Sequence, residues 1–346
     1  MRKQSFGQTK SGKKAGLYTI GNNNGMAAQI SDYGATLVSL IVPDLNGISA
    51  DIVQGFEDVS GYEASPYYMG ATIGRHVGQI RGGTFTLNDT TYDLVINDQD
   101  NTLHGGPGGF HCRIFTVTEH TDKILVLTYY SKDGEAGFPG NLEVTATYKI
   151  TEDNELSIDY DACCDMDTIL SMTNHAYFNL DGHDAPTILE HQLLINGLEY
   201  MEVDQQSVPD GNILSVIGTP FDFTDFNKVG AGINDPDKQL QICTGYDNNW
   251  VISGDKDCVM RLCCEVKASA GQRHMQLFCN QPGLQLYTGN YLDGKHKGKG
   301  GCLYKRQSAL CLEPQVCPDS LSHPHFPSAV LRAGEKYKYR SIYKFI

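Results

Sequence analysis

The sequence predicts an all-β protein, a large antiparallel β-sandwich. Apolar and polar residues alternate with a period of two along the patterned stretches. No long stretch carries a helical period of 3.6 residues. The 37 glycines and 19 tyrosines suit many turns and pleated surfaces. In chain order, Thr84–Leu87 and Thr91–Leu94 flank Asn88-Asp89 and predict a short hairpin. Lys123–Tyr130 is the next strand-like run. Leu142–Ile150 and Leu156–Ala162 alternate without a break around the turn cluster Thr151–Glu155, which predicts a second hairpin. Val259–Lys267 and Met275–Phe278 are further strands. No charge block, Pro-rich linker, low-complexity tract or repeat divides the chain, so residues 1–346 are expected to form one domain with sheets packed face to face.

Composition narrows the function class. Hydrophobic residues make up 40% of the 346 residues, enough for a sizeable core. The formal net charge of -14 argues against nucleic acid and anionic membranes as partners. No apolar run follows the basic N-terminus, so no signal peptide is expected, and no apolar stretch is long enough for a membrane span. The 11 cysteines are odd in number and form no CxxC pair. They are expected to be reduced, and many of them buried, in a cytoplasmic protein. His323-Pro324-His325 has no carboxylate or cysteine at ligand spacing, so a solvated loop is expected there, not a metal site.

Two separated runs carry the chemistry. Thr173–Leu180 places His175 among aromatic residues, with Asn174 and Asn179 beside it. Cys311–Gln315 contributes Glu313. An imidazole and a carboxylate are the minimum pair for moving two protons on one substrate. Taken alone, His175 reads more simply as a hydrogen-bonded, half-buried histidine, and the amides suit either imidazoles or sugar hydroxyls. Four further clusters add polar groups. Gly70–Ile80 is small, basic and loop-like. His104 stands against Gly105 and Gly106, either as a turn residue or where backbone approaches a ligand. Asp247-Asn248-Asn249 precedes the only Trp and reads equally as an Asx-rich turn or a site. Gln285 lies within an apolar and aromatic run, where its amide needs partners. Acids, amides, histidines and aromatics without a phosphate loop or metal motif point to a neutral sugar.

These residues resemble the galactose mutarotase (aldose 1-epimerase) family over nearly the whole chain. The most specific matches are Asn174–Leu180, Leu103–Gly106, Pro282–Gln285 and Leu312-Glu313. The resemblance implies a mutarotase-like supersandwich with an open sugar cleft. It also implies conversion between the α and β anomers of a free aldose, galactose or glucose, without cofactor or metal. Glu313 resembles the general base acting on the C1 hydroxyl, and His175 the general acid acting on the ring oxygen. His104, Asp247 and Gln285 match sugar-binding positions, and Gln79 stands where the family binds sugar with Arg. The pair is expected to face across about the width of one pyranose ring. The family loop Gly-Arg-x-x-Asn-Arg-Ile is here Gly74-Arg75-His76-Val77-Gly78-Gln79-Ile80, and Asn248 replaces a frequent His. Gly78 is expected to leave open space; the alternative is that Arg75 or Arg81 swings in to restore the guanidinium. Partners are a monosaccharide and, at most, a second copy of the chain. The competing readings are a glycoside-active enzyme using Glu313 and Asp247 as a carboxylate pair, and a non-catalytic sugar binder or sensor.

Overall fold

The computed structural model describes residues 2–253 and 259–346. Its strands pair antiparallel in three principal sheets. The first 51 residues supply a five-stranded meander, Arg2–Gln8 through Ser49–Asp51. A nine-stranded sheet runs from Thr116–His120 through Leu142–Ile150 and Glu155–Cys164. The C-terminal strand Lys336–Phe345 is inserted at its centre, between Glu155–Cys164 and His274–Cys279. A six-stranded sheet has the order Tyr177–Phe178, Leu310–Gln315, Gly283–Tyr287, Asp247–Val251, Glu199–Val203, Pro209–Ser215.

The alternation explains the packing. Val144, Ala146, Tyr148 and Ile150 lie opposite Ala162, Tyr160, Ile158 and Leu156. Every second residue of both strands therefore shares one buried face. One buried cluster joins Ile30 and Leu40 of the meander, Val144 and Tyr148 of the large sheet, and Leu284 and Leu312 of the six-stranded sheet. The short hairpin forms as Thr84–Leu87 with Thr90–Asp93. Asn88 and Asp89 both have positive φ (50° and 59°), as a two-residue type I′ turn requires, so the return strand starts one residue earlier than the pattern suggests. The longest helices among the described residues have six residues, and no helix is long and apolar enough to cross a membrane.

Two local expectations need correction. Asp247–Val251 is a central strand, not an Asx turn, with Trp250 buried in the core behind it. His323 is packed, not solvated. Its Nε2 lies 3.2 Å from the Pro209 carbonyl and 3.8 Å from Asp319, a carboxylate four residues away. His325 beside it is exposed, as expected of the loop. Cysteines behave as the composition suggests: those among the described residues are free, and Cys164, Cys243, Cys263, Cys264, Cys279, Cys311 and Cys317 are buried.

Candidate active site

The alternating strand Leu310–Gln315 builds the site floor. Leu310 and Leu312 enter the core, so Cys311, Glu313 and Gln315 take the opposite face. Register extends that face sideways. Glu313 lies opposite Gln285, and Gln285 opposite Asn249. In the adjacent row, Tyr177 pairs with Cys311, Cys311 with Tyr287, and Tyr287 with Asp247. Three strands distant in sequence thus set Glu313, Gln285 and Asp247 on one surface.

His175 precedes the Tyr177–Phe178 strand, two residues before Tyr177 and therefore on the same side. Its amide donates to the Ala71 carbonyl at 2.9 Å, and its carbonyl accepts from Gly70 at 2.8 Å. The ring stacks on Tyr177 with centroids 5.2 Å apart and stands edge-on to His104 at the same distance. The flanking amides serve the scaffold and not the imidazole. Asn174 Nδ2 donates to the Gly70 carbonyl and to Tyr148, and Asn179 Nδ2 donates to the Ser308 carbonyl.

A second loop brings His104. It and the next two glycines all have positive φ (55°, 79° and 75°). A Cβ on Gly105 would lie 2.2 Å from the Gly74 carbonyl oxygen, so the glycine admits close loop–loop contact. Gly78 N–H donates to His104 Nδ1 at 3.1 Å. Neutral His104 therefore carries its proton on Nε2.

The altered loop differs from expectation in two ways. Gly78 has φ +78°, and a Cβ there would meet Pro318 Cβ at 2.9 Å, so the position holds no open space. Neither arginine restores a guanidinium to the cleft. Arg75 is 2% exposed and is bonded to Ser131 and to the Pro139 and Lys132 carbonyls. Arg81 is bonded to Asp204 and the Pro209 carbonyl. Asn248 faces the interior, where its Nδ2 donates to Gln239 Oε1 at 3.3 Å, so the exchange at that position does not reach the sugar side.

His104, His175, Asp247, Gln285, Glu313 and Gln79 all line one cavity of about 410 Å³, within the range of small-molecule sites. His175 Nε2 and Glu313 Oε1 are 3.6 Å apart, closer than a pyranose width. The distance is compatible with the expected roles, because the C1 hydroxyl and ring oxygens of a cyclic aldose share one carbon and two groups serving them would stand side by side. Gln285 Nε2 donates to Asp247 Oδ1 at 2.8 Å. Glu313 Oε2 is buried without a partner.

Burial sets the protonation states. Desolvation lowers His175 to about 4 and raises Glu313, with the Asp247 charge adding to the rise. Burial thus favours the neutral forms of both groups over their ion pair. Desolvation raises Asp247 to about 6, partly offset by the Gln285 hydrogen bond. One nitrogen each of His104 and His175 and a Glu313 oxygen lie within 4.8 Å of one another. A metal there would have to displace the proton that the Gly78 bond holds on His104 Nε2.

Sequence reasoning missed several lining residues, among them Asp98, Gln315, Tyr68 and Tyr291. Gln315 lies two residues from Glu313 and was within reach of the alternation. Nothing in the sequence around Asp98 signals the cleft.

Known proteins match the chain over nearly its whole length. The family model described as aldose 1-epimerase matches residues 16–344. A galactose mutarotase from Mus musculus is 38% identical over 320 residues, covering 92% of this chain and 91% of its own. An aldose 1-epimerase from Escherichia coli K12 is 34% identical over 95% of each chain. The solved structure of an aldose epimerase homologue from C. elegans superposes with a TM-score of 0.89 at 31% identity, over 96% of this chain and 99% of that one. With the whole fold matched, the chain belongs to the aldose 1-epimerase family.

Proposed function

We propose that this cleft opens and recloses the ring of a free aldose, galactose or glucose, with Glu313 and His175 as the proton-transfer pair. The contact between these two buried groups carries the reading. The glycoside-active alternative leaves His175 without work, and a sugar binder has no need of a proton-transfer pair. Glu313 as carboxylate takes the proton from the C1 hydroxyl, and His175 delivers one to the ring oxygen. The C1–O5 bond breaks, the aldehyde turns its other face, and the protons return along the same paths. The pair holds one proton throughout. The neutral pair that burial favours, acid on Glu313 and neutral His175, is the arrangement reached when the open-chain aldehyde is bound. The cleft thus favours the state between the two anomers over either anomer. His104 Nε2–H, Asp247, Gln285 and Gln79 hold the hydroxyls.

Free cysteines among the described residues support a reducing, cytoplasmic setting. The buried cluster shared by the three sheets supports a single domain. Polarimetry on freshly dissolved α-D-galactose and α-D-glucose tests the reaction. No acceleration over buffer on either sugar would refute it.

Two outcomes follow from the local chemistry. As pH falls through about 6, Asp247 takes a proton and loses an acceptor site, so kcat/KM for galactose falls there. Asp247→Asn should flatten that limb, and a parent profile flat from pH 5 to 8 would contradict it. At the altered loop, Gln79→Arg should lower KM for galactose about tenfold by supplying a charge-assisted bond. Gly78→Asn should not help, because positive φ and Pro318 oppose it. It should cost about 1–3 kcal/mol in urea unfolding, and an unchanged midpoint would show that Pro318 gives way.

A further inference from the structure

The cleft is strongly one-sided in charge. Asp98 and Asp247 line it beside Glu313, whose acid form burial favours, and among the described residues no Lys or Arg lines it. Both arginines of the adjoining loop are held elsewhere, Arg75 by Ser131 and backbone carbonyls and Arg81 by Asp204. The two histidines facing the carboxylates add no positive charge, since burial holds both in the neutral form.

The free hydrogen-bonding atoms point the same way. Gln315 Oε1 belongs to a side chain only 1% exposed and has no partner among the described residues. Gln285 Oε1 is likewise buried and unpartnered, while the Gln285 amide nitrogen is spent on Asp247. Both are acceptors that call for donors from a ligand. A sugar hydroxyl brings one donor. An ammonium group brings three together with a positive charge. Asp98, hydrogen-bonded by Gln79, and Asp247 also repel each other. A cation between them would relieve that repulsion.

We propose that the cleft selects aldoses by charge, taking an amino sugar in its ammonium form in preference to the uncharged hexose and rejecting sugars that carry a carboxylate. This rests on the anomer-interconverting reading of the same site and adds the substrate class. The ammonium sits between Asp98 and Asp247, away from the proton transfers at C1 and O5.

The test compares D-galactose with 2-amino-2-deoxy-D-galactose, 6-amino-6-deoxy-D-galactose, 2-acetamido-2-deoxy-D-galactose and D-galacturonate, by polarimetry and by calorimetric binding. At low salt and a pH below the amine's own titration, at least one ammonium sugar should show kcat/KM and affinity about tenfold above galactose, with galacturonate about tenfold below. The advantage should shrink at 1 M salt and vanish as the amine loses its proton. Gln79→Arg, which sets a guanidinium beside Asp98, should abolish it. Asp98→Asn should reduce the ratio of amino sugar to galactose. Ammonium sugars no better than galactose, or an acetamido sugar equal to the best of them, would overturn the charge selection while galactose turnover leaves the underlying reaction standing. If no sugar is interconverted faster than in buffer, the reaction itself fails. The calorimetric ranking then decides the charge selection separately: equal or reversed affinities overturn it, and ammonium above neutral above carboxylate supports it.

Discussion

Replacing Glu313 with Gln, or His175 with Asn, is expected to slow anomer interconversion about 10²-fold or more. Glutamine keeps the shape of Glu313, asparagine keeps the near half of the His175 ring without its Nε2 edge, and each removes the capacity to exchange a proton. The introduced glutamine would still fill the buried site opposite Gln285, and the introduced asparagine would still sit over Tyr177. The loss should therefore fall on kcat while KM moves little, since uniform binding is left in place. The double variant should be little worse than either single one, because both members act on the same proton inventory. Their 3.6 Å separation makes that non-additivity the sharper readout. Multiplicative losses would mean that the two residues work in separate steps. Near-parent rates in both single variants would remove the role assignment altogether.

Much of the fold was legible because one physical signal, period-two alternation, survives wherever one face of a strand is buried. Leu142–Ile150 and Glu155–Cys164 show it at full length, and their ends lie within two residues of the pattern. The strand Asp247–Val251 is not evident in the sequence, which leaves turn and site equally open, because its outward residues are Asp and Asn, which also favour turns. Only its partners, Glu199–Val203 and Gly283–Tyr287, decide the matter, and pairing is not written locally. The site residues were legible as types and by resemblance, and the structure gathers them at one cavity. Their spacing was not legible. The expected pyranose-wide gap came from the size of the sugar, whereas two oxygens on one carbon set the real requirement. Nor could the sequence show that Arg75 and Arg81 are spent, because their acceptors are backbone carbonyls and distant acids. Gly78 reads as open space for the same reason: its neighbour Pro318 is 240 positions away.

Arg75→Met is expected to destabilise the protein by about 3–5 kcal/mol without rearranging the cleft chemistry. Arg75 is 2% exposed, and its guanidinium is surrounded by acceptors. Nη1 donates to the Pro139 carbonyl at 2.7 Å, and Nη2 donates to Ser131 Oγ at 2.8 Å and the Lys132 carbonyl at 3.0 Å. Glu135 lies next to this group and accepts from Ser131 Oγ at 2.5 Å. Burial lowers the Arg75 pKa to about 10, with Glu135 and Asp133 pulling it back, so the group stays charged at neutral pH. Methionine would fill much of the volume, leave those carbonyls without their donors and take a nearby positive charge from Glu135. Arg113, 3.2 Å from Glu135, would cover part of the deficit. Lysine keeps the charge but not the planar fork, so Arg75→Lys should recover only part of the loss. The loop itself stays tied, because the Ser171 amide still donates to the carbonyl of residue 75 and Val77 to the Ser171 carbonyl, each at 2.9 Å. The urea midpoint should therefore drop at an unchanged slope, while KM for galactose in the folded enzyme holds. The reverse result, a midpoint within about 0.5 kcal/mol of the parent and a KM raised about tenfold, would mean that Arg75 leaves its buried nest to serve the sugar.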